Sequence, residues 1–287
     1  NPLGPGQTDI FRIIQGSKGS FGCVSWISMQ CDLIPEQRAF NVIDHDYLEP
    51  LFEFIYSSVR KRLIDEVFIL NRKYLNSIIP DLDDSTKEFI LIYTINGYDI
   101  LPREKIEYQT ADVSDILSEQ KLDINSSLSE ALRTPIIDIL DGKIIENHPK
   151  IVDGNYSFDL ICTSTLDRVE NIYKNINEIR NKHNISSDSL YVYIQPIIQA
   201  RAANIEFSFI VNSMQLDSEA FPTKEIEDLC NECAEAISDN GGFFSRSYRL
   251  INKFAFTDKN RVVQESLKKL KRIFDPDNIL NKGQLVF

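Results

Sequence analysis

The glycines of this 287-residue chain are distributed very unevenly, and this distribution constrains the fold more than any other feature. Five of the eleven glycines lie in the first 22 residues and three in the last 47, so the 218 residues between hold only three. Glycine is favoured where the backbone turns tightly or approaches another object closely. We therefore expect the two ends to form one kind of structure and the long middle another.

The middle of the chain alternates short β-prone runs with helical patterns. Apolar residues at helical spacing predict helices over 47–62, 166–179 and 226–237, whereas 103–155 gives no clear pattern. Six runs are predicted as strands: Arg38–Asp44, Glu66–Leu70, Glu88–Ile95, Tyr156–Thr163, Tyr191–Ile198 and Ile205–Val211. A β-α-β unit thus occurs twice. We predict an α+β fold in which two β-α-β-type halves share a mainly antiparallel sheet, with helices on one face.

Charge and cysteine content narrow the class of protein. The formal net charge of −12 disfavours nonspecific binding to nucleic acid or to anionic membranes. No apolar run reaches the roughly 18 residues of a membrane-spanning helix, and residues 1–6 lack the features of a signal peptide. The five cysteines are scattered among apolar residues, which favours reduced thiols in a cytoplasmic protein.

Familiar catalytic and metal-binding motifs are absent from the sequence. The pair Cys230 and Cys233 falls on the apolar face of its helix, so we interpret it as core packing rather than a redox or metal pair. The three histidines, His45, His148 and His183, match no metal-ligand spacing. We therefore predict no metal site.

A glycine-rich turn near the N-terminus carries more information. Three glycines at three-residue spacing, Gly16, Gly19 and Gly22, follow a helix-like run and precede a predicted strand over Cys23–Cys31. Closely spaced small residues expose successive backbone N–H groups, which suits contact with a phosphate or a ribityl chain. Spacing alone leaves a tight turn with no ligand as an equal alternative.

Two segments at opposite ends of the chain resemble one known family. The run Gln15–Val24 (QGSKGSFGCV) is similar to the GS-x-G-T-x-G segment of the vanillyl-alcohol oxidase / p-cresol methylhydroxylase family of FAD-linked oxidases. Leu270–Gly283 (LKRIFDPDNILNKG) resembles the closing K-x-x-F-D-P-x-x-I-L-N-P-G-K of that family, with Lys282 and Gln284 replacing its last proline and lysine. The resemblance covers the whole chain, although its middle shares mainly architecture and the stretch Tyr193–Pro196.

The resemblance implies a domain organisation and a cofactor. Residues 1–35 and 241–287 would belong to an FAD-binding domain, and 36–240 would form the substrate (cap) domain. The residues expected to contact FAD lie in the two terminal motifs: Lys18, Gly19, Ser20, Phe21, Gly22, Cys23, Val24 and Asn281. The family's N-terminal half, which carries its main pyrophosphate loop, has no counterpart in this sequence. An N-terminal FAD-binding half or subunit is therefore the expected partner, and FAD binding by this chain alone should be weak.

The family resemblance implies an FAD-dependent oxidoreductase or dehydrogenase acting on a small-molecule substrate: an alcohol, hydroxy acid or phenol. Where its D-2-hydroxyacid dehydrogenases have a Gly-Glu-His-Gly-type motif, this chain has GGFFSRSY over Gly241–Tyr248, which makes a metal-assisted dehydrogenase unfavourable. The candidate catalytic residues are Arg201, Glu206, Arg246 and Tyr248. Glu206 lies on the strand face opposite Phe207, where it could line a pocket with Arg201. The alternative function is a non-catalytic subunit or scaffold without flavin.

Two structural expectations follow from the terminal segments. Each end is too short for a core of its own, so we expect the two ends to pack together. The apolar residues around Val24 and Trp26 belong to a domain whose other half is absent from this sequence. We therefore expect an exposed apolar surface that binds the N-terminal half or, in the isolated chain, a second copy as a homodimer.

Overall fold

The structure is a computed structural model that describes residues 10–31, 33–79, 85–143, 150, 155–212, 224–246, 251–255 and 261–283. The chain divides into two compact units. Residues 1–31 and 243–287 form the terminal unit, and residues 32–242 form the sheet unit. The assignment of the first to a flavin-binding domain and of the second to a cap, with boundaries at 35 and 240, stays a prediction.

Within the described residues, six strands of the sheet unit form one antiparallel sheet in the order β1-β3-β2-β5-β6-β4. The strands are β1 Gln37–His45, β2 Val67–Asn71, β3 Phe89–Gly97, β4 Asn155–Ser164, β5 Leu190–Ile197 and β6 Ala202–Asn212. The first three strands form one half and the last three the other. In each half the third strand lies between the first and the second. The predicted α+β fold with an antiparallel sheet is thus confirmed.

Helices account for most of the remaining described residues. They are α1 Ile10–Ile14, α2 Leu48–Arg60, α3 Arg72–Ile78, α4 Pro102–Gln120, α5 Ser126–Leu140, α6 Leu166–Lys182, α7 Lys224–Asp239, α8 Asn252–Ala255 and α9 Arg261–Phe274. Helix α2 connects the first and second strands of the first half, and α6 does the same in the second half. Each buries one apolar face, as the helical spacing of the sequence predicts.

One face of the sheet is buried under helices along its full width. Because side chains alternate along a strand, one residue from each strand in register forms a row across this face. The row is fully buried and apolar: Ile43, Leu91, Ile69, Ile194, Ile205 and Cys162. Helix α2 packs here, with the ring of Phe54 5.3 Å from that of Tyr93. Helix α6 packs on α2, and α7 on α6 and β4.

The opposite face is covered differently in the two halves. Over the first half, Leu128, Leu132 and Ile136 of α5 pack on Val42 and Ile92, and all are buried. The prediction that helices lie on one face only is therefore wrong for this half. Helix α5 falls in the stretch 103–155, which shows no clear helical spacing because Pro135 interrupts it and four apolar residues crowd together in Ile136–Leu140. Apolar side chains on both faces of the strands require cover on both sides.

The two halves meet along a short seam between β2 and β5. The two strands pair over two residue pairs, Ile69 with Ile194 and Leu70 with Tyr193. The side chain of Asn71 extends this pairing: its amide nitrogen donates to the carbonyl of Leu190 at 2.9 Å, and its oxygen accepts from the Val192 amide at 3.0 Å. Asn71 is 4% exposed. A side chain therefore replaces a missing backbone pair at the seam.

In the terminal unit the two ends of the chain pack together, as predicted. The rings of Phe21 and Phe274 lie 6.1 Å apart. Lys271 of α9 donates hydrogen bonds to the carbonyls of Ser20 at 2.8 Å and Leu280 at 2.6 Å. The N-terminal glycine turn and the C-terminal motif thus form one packed structure, although they are more than 250 residues apart in sequence.

The strand predicted over Cys23–Cys31 does not form. Residues 22–31 have no regular secondary structure, because a strand needs a neighbour for its backbone N–H and C=O groups and the described residues supply none. The expected exposed apolar surface is present: Val24 is 63%, Trp26 81% and Met29 75% exposed. Cys23 and Cys31 are exposed free thiols on the same segment.

Candidate active site

A cluster of charged and hydroxyl side chains occupies the second half of the sheet, on the face that α5 covers in the first half. Lys150 makes an ion pair with Asp159 of β4 at 2.9 Å and another with Glu206 of β6. The Ser208 hydroxyl lies 2.6 Å from a carboxylate oxygen of Asp159 and 3.0 Å from one of Glu206, so its single proton can go to either, and Ser157 donates to Asp159 at 2.6 Å. We call these five residues the carboxylate cluster. Its strand residues come together because Asp159 and Ser208 are register partners in the β4–β6 ladder.

The carboxylate cluster is half-buried, and its hydrogen bonds favour the ionised form of Asp159. Burial by itself would raise the pKa of Asp159, but hydrogen bonds from Lys150, Ser157 and Ser208 outweigh it and lower this pKa below its usual value. One ammonium group thus serves two carboxylates, and the cluster keeps one negative charge. Such a group can accept a hydrogen bond or a proton from a hydroxylic ligand.

Two tyrosines border the carboxylate cluster. Tyr193 of β5 is the register partner of Glu206, and Tyr74 of α3 packs edge-on against Tyr191, with ring centroids 5.9 Å apart. Burial, with the negative charge of Glu206, raises the pKa of both Tyr74 and Tyr193. Both phenols therefore stay protonated and can donate hydrogen bonds.

A cavity of about 370 Å³ opens at the seam beside these tyrosines. It forms where the β2–β5 pairing ends, since Phe68 and Gln195 lie at the next register position but are not paired. Its walls are mostly apolar and aromatic, with two carboxylates: Val59, Asp65, Glu66, Val67, Phe68, Leu70, Tyr74, Ile78, Ile136, Ile139, Leu140, Tyr193, Gln195 and Pro196. A concave, mainly apolar site with a few polar groups is typical of small-molecule binding.

A wider groove of about 610 Å³ lies between α2 and α6, but it is a weaker candidate. Its charged lining consists of four carboxylates and Lys174, and Lys174 pairs with Glu170 in a helical i,i+4 arrangement. No protonated phenol of raised pKa and no shared ion pair borders it among the described residues. The seam cavity combines both features with an apolar wall.

The structure brings together only part of the predicted catalytic set. Glu206 points to the face predicted for it, but its cationic partner is Lys150 rather than Arg201. Arg201 is exposed in the β5–β6 turn and makes no ion pair within the described part of the chain. Arg246 is exposed in a turn, and Tyr248 lies outside the described residues.

The paired glycines before Arg246 have a local explanation. Gly241 has a φ of +78°, and the amide of Gly242 donates to the carbonyl of Ile237 at 2.8 Å, which ends helix α7. A Cβ on Gly242 would lie 2.4 Å from a methyl group of Ile237. These glycines therefore serve the helix end rather than a ligand.

Most of the predicted FAD-contacting residues lie in the N-terminal glycine turn. Asn281 and Lys271 of the C-terminal motif hydrogen-bond to this turn. Lys18 and Gly19 have positive φ values, and the side-chain amide of Asn281 donates to the carbonyl of Lys18. Ser20 is fully buried, and its hydroxyl has no hydrogen-bond partner among the described residues. Phe21 is buried, whereas Cys23 and Val24 are exposed.

The turn fits a flavin cofactor on one specific observation. Gly22 has no positive φ, and a Cβ there would meet no described atom within 4 Å. Packing within the terminal unit therefore does not require glycine at this position. A group that approaches the backbone closely from outside the described residues would require it. Gly16 likewise leaves open space, although its φ of +73° is reason enough for glycine.

Sequence reasoning missed Lys150, Asp159 and Tyr74 at the sheet face and the role of Lys271 in the terminal unit. Lys150 lies 56 residues from Glu206, so only the folded sheet brings the two together. Asp159 could have been found from alternation along β4, because it shares a mainly polar strand face with Ser157 and Thr163, opposite Phe158 and Leu160. Lys271 pairs with Asp275 at 2.8 Å, with both side chains 6% exposed, and Asp275 also accepts hydrogen bonds from two backbone amides. The Lys271 ammonium and these amides lower the pKa of Asp275 to about 2.

The buried cysteines form no redox or metal site among the described residues, and these residues contain neither a metal-ligand group nor a membrane-spanning helix. Cys230 and Cys233 are buried, reduced residues of α7, and burial raises the pKa of Cys230 to about 12. Within the described ranges, no group of three or more His, Cys, Asp or Glu side chains could hold a metal ion. None of the helices described is long and apolar enough to cross a bilayer.

No protein-family sequence profile matches the chain, and no curated protein matches it at the sequence level. Solved structures do match. A 4-ethylphenol oxidase from Gulosibacter chungangensis in complex with isoeugenol aligns with a TM-score of 0.65 and 14% identity, over 86% of this chain and 53% of that one.

Two further structures give the same result. A p-cresol methylhydroxylase with substrate bound aligns with a TM-score of 0.65 and 13% identity, over 86% of this chain and 52% of that one. An alkyldihydroxyacetonephosphate synthase aligns with a TM-score of 0.59 and 14% identity, over 99% of this chain and 52% of that one. The chain thus spans about half the length of these structures. All three belong to the vanillyl-alcohol oxidase family of FAD-linked oxidases, so the predicted resemblance is confirmed at the level of fold.

Proposed function

We propose that this chain is the C-terminal part or subunit of an FAD-dependent oxidoreductase that oxidises a small alcohol, hydroxy acid or phenol. The observation that carries the proposal is the shared fold: three FAD-linked oxidases align over most of this chain. The packing of the two terminal motifs into one turn structure supports it. So does the half-buried carboxylate cluster beside a small cavity.

In this proposal the terminal unit supplies part of the cofactor site. Lys18, Gly19, Ser20, Phe21, Gly22, Cys23, Val24 and Asn281 would hold FAD. When bound, the flavin would accept the two electrons of the oxidation. Lys271 would position the turn through the Ser20 carbonyl without touching the cofactor itself.

The sheet unit would bind the substrate and take up its proton. A substrate that extends from the seam cavity past Tyr193 would donate its hydroxyl to Glu206 on the neighbouring strand, while Tyr74 or Tyr193 donates a hydrogen bond to the substrate oxygen. Lys150 holds both carboxylates in position through its ion pairs, and Glu206 would take up the proton. Arg201, Arg246 and Tyr248 remain proposed catalytic residues on sequence grounds alone.

The proposed partner is a polypeptide segment that carries the N-terminal half of the FAD-binding fold. The exposed side chains of Val24, Trp26 and Met29 support it, because contiguous apolar surface usually marks an interaction site. A homodimer of the isolated chain would cover the same surface. We also propose a cytoplasmic location, which the five free cysteines support.

Flavin content tests this function directly. The full chain is purified alone and after co-expression with the N-terminal half, and flavin absorbance is compared with protein concentration. We expect little or no FAD on the chain alone and a yellow complex with about one FAD per chain. Stoichiometric FAD on the chain alone would contradict the idea of a divided cofactor site.

One substitution and a matched control test whether the glycine turn contacts FAD. Gly22→Val should lower FAD content of the complex without changing the unfolding of the chain, because a side chain at position 22 meets open space here. The control is Thr110→Val, an exposed position on α4. Equal FAD content in both variants would remove the turn from the site.

The alternative is a non-catalytic subunit or scaffold that keeps the fold without flavin. The replacement of the family's closing proline and lysine by Lys282 and Gln284 favours this candidate. A stable but colourless complex with the N-terminal half would establish the scaffold function and exclude the oxidoreductase.

A further inference from the structure

The charged side chains that line the seam cavity are all negative. Two carboxylates, Asp65 and Glu66, line the cavity, and none of its described lining residues is Lys, Arg or His. The remaining lining side chains include the aromatic rings of Phe68, Tyr74 and Tyr193. A ligand carboxylate would find no cation in this wall, whereas a ligand cation would find carboxylates and the faces of aromatic rings.

Cations near the rim offset these carboxylates only in part. Asp65 lies 3.7 Å from Lys105, and Glu66 lies 3.9 Å from Arg38 and accepts two hydrogen bonds from the Asn96 side chain. Arg38 is shared with Asp141 at 3.2 Å. Three carboxylates thus face two cations at this end of the cavity, and one negative charge remains.

The other end of the cavity has the same imbalance. Tyr193, which lines the cavity, is the cross-strand partner of Glu206, so the carboxylate cluster begins one strand away. Lys150 there is engaged by both Asp159 and Glu206. Excess negative charge therefore lies at both ends of an aromatic cavity, where Coulomb attraction acts over a few ångströms and is weakly screened.

We propose that the seam cavity binds an organic cation: a protonated amine on a small aromatic or alkyl body. The amine lies against Glu66 in the cavity wall, with the negative charge of Glu206 one strand away beyond Tyr193, and the apolar body fills the space between Phe68, Tyr74 and Ile136. As the identity of a substrate this rests on the proposed function, and it selects amine-bearing alcohols or phenols over hydroxy acids. As a binding property of the sheet unit it does not depend on flavin.

A matched series of small ligands tests the proposal with the full chain and no cofactor. The probes are 2-phenylethylamine, 2-phenylethanol and phenylacetate, which share a phenyl ring and differ mainly in the charge of the end group. Binding is measured by ligand-observed NMR and calorimetry at pH 7. We expect the amine to bind about tenfold or more tightly than the carboxylate, with the alcohol between, as one cation–π contact with an added ion pair would give. A carboxylate that binds as well as the amine, or an amine that does not bind at millimolar concentration, overturns the proposal.

Substitutions locate the binding. Glu66→Gln and Glu206→Gln should each narrow the preference for amine over alcohol by several-fold, while Phe68→Ala should weaken all ligands alike. Glu104→Gln, on the exposed face of α4, is the matched control and should leave the preference unchanged. An unchanged preference in both Glu66→Gln and Glu206→Gln would exclude the seam cavity as the site. Since these measurements use no flavin, a colourless complex would refute the oxidoreductase and leave the ligand class intact.

Discussion

The two halves of the sheet follow the same path but treat one face in opposite ways. In the first half the central strand β3 presents Ile90 and Ile92 to this face, and α5 covers them. In the second half the central strand β6 presents Glu206 and Ser208 to the same face, where Glu206 pairs with Lys150 and the phenol of Tyr74 lies close by. The two halves therefore share one strand order although one sheet face differs between them. The side chains of the central strand determine whether that face forms an apolar core or a charged cluster.

The largest expected effect is on the covered half. Leu132 of α5 is fully buried against this face, so Leu132→Ala removes apolar contacts and leaves a cavity. We expect it to lower the free energy of unfolding by about 2–5 kcal/mol, measured by urea denaturation. Leu33→Ala, at a side chain 68% exposed, is the control and should stay within about 0.5 kcal/mol. A loss below about 1 kcal/mol at Leu132 would mean that α5 is not a true cover.

The second-largest loss of stability is expected at the seam between the halves. Asn71→Ala removes the bonds to Leu190 and Val192 and the N-cap bond to the Tyr74 amide, and leaves buried backbone groups unpaired. We expect a loss of about 2–4 kcal/mol, with faster hydrogen exchange at Val192 and unchanged exchange along β1–β3. Asn125→Ala, a helix cap within the first half, should cost only about 1 kcal/mol. Equal costs for the two variants would contradict a special role for Asn71.

Removal of the shared cation from the charged half should change stability in a pH-dependent way. Lys150→Met leaves Asp159 and Glu206 without their shared cation, so we expect a loss of about 1–3 kcal/mol at pH 7. In the native chain the pKa of Asp159 lies below its usual 3.8, so its contribution is complete above that value and is lost as the pH falls through the lowered pKa. In Lys150→Met the folded pKa rises, and the deficit against the native chain should shrink as the pH falls from 7 towards 4.

The matched control for the ion-pair prediction is Lys174→Met. Lys174 pairs with Glu170 on the surface of α6 and is 63% exposed, so its removal should leave the free energy of unfolding essentially unchanged at all of these pH values. A pH-independent deficit in Lys150→Met would show that its side chain packs rather than pairs.

The smallest effect is expected at Ser157. Ser157→Ala removes one of the hydrogen bonds that lower the pKa of Asp159, so that pKa should rise, as NMR titration of the carboxyl carbon would detect. The accompanying loss of stability should be about 0.5–1.5 kcal/mol. An Asp159 pKa that does not move would mean that Lys150 and Ser208 alone hold it.

The sequence predicts well whatever depends on local pattern. The strand predicted at Arg38–Asp44 is Gln37–His45, and that predicted at Glu88–Ile95 is Phe89–Gly97, because continuous apolar runs between turns leave little choice. The same reasoning fails at Cys23–Cys31. This segment has strand composition, but a strand also needs a neighbour, which no local pattern reveals.

The candidate site was predictable only one residue at a time. Alternation along β6 puts Glu206 on the correct face, since Phe207 and Phe209 must be buried. Its partner could not be found in this way, because Lys150 lies in a loop and reaches Glu206 only through the fold of the second half. The short resemblance at Tyr193–Pro196 does lie at the cavity, but the cavity itself depends on where the β2–β5 pairing stops.

The short seam has a consequence for how such a chain could have arisen and how it could fail. In a single three-stranded half, β2 or β5 would be an edge strand with unpaired backbone N–H and C=O groups, which could pair with a strand of another molecule. Joining the halves turns each edge into the other's partner, and only β1 and β4 remain outermost among the described strands. A chain cut between α5 and β4 should therefore yield two pieces that recombine through these edges, and each piece kept alone should aggregate.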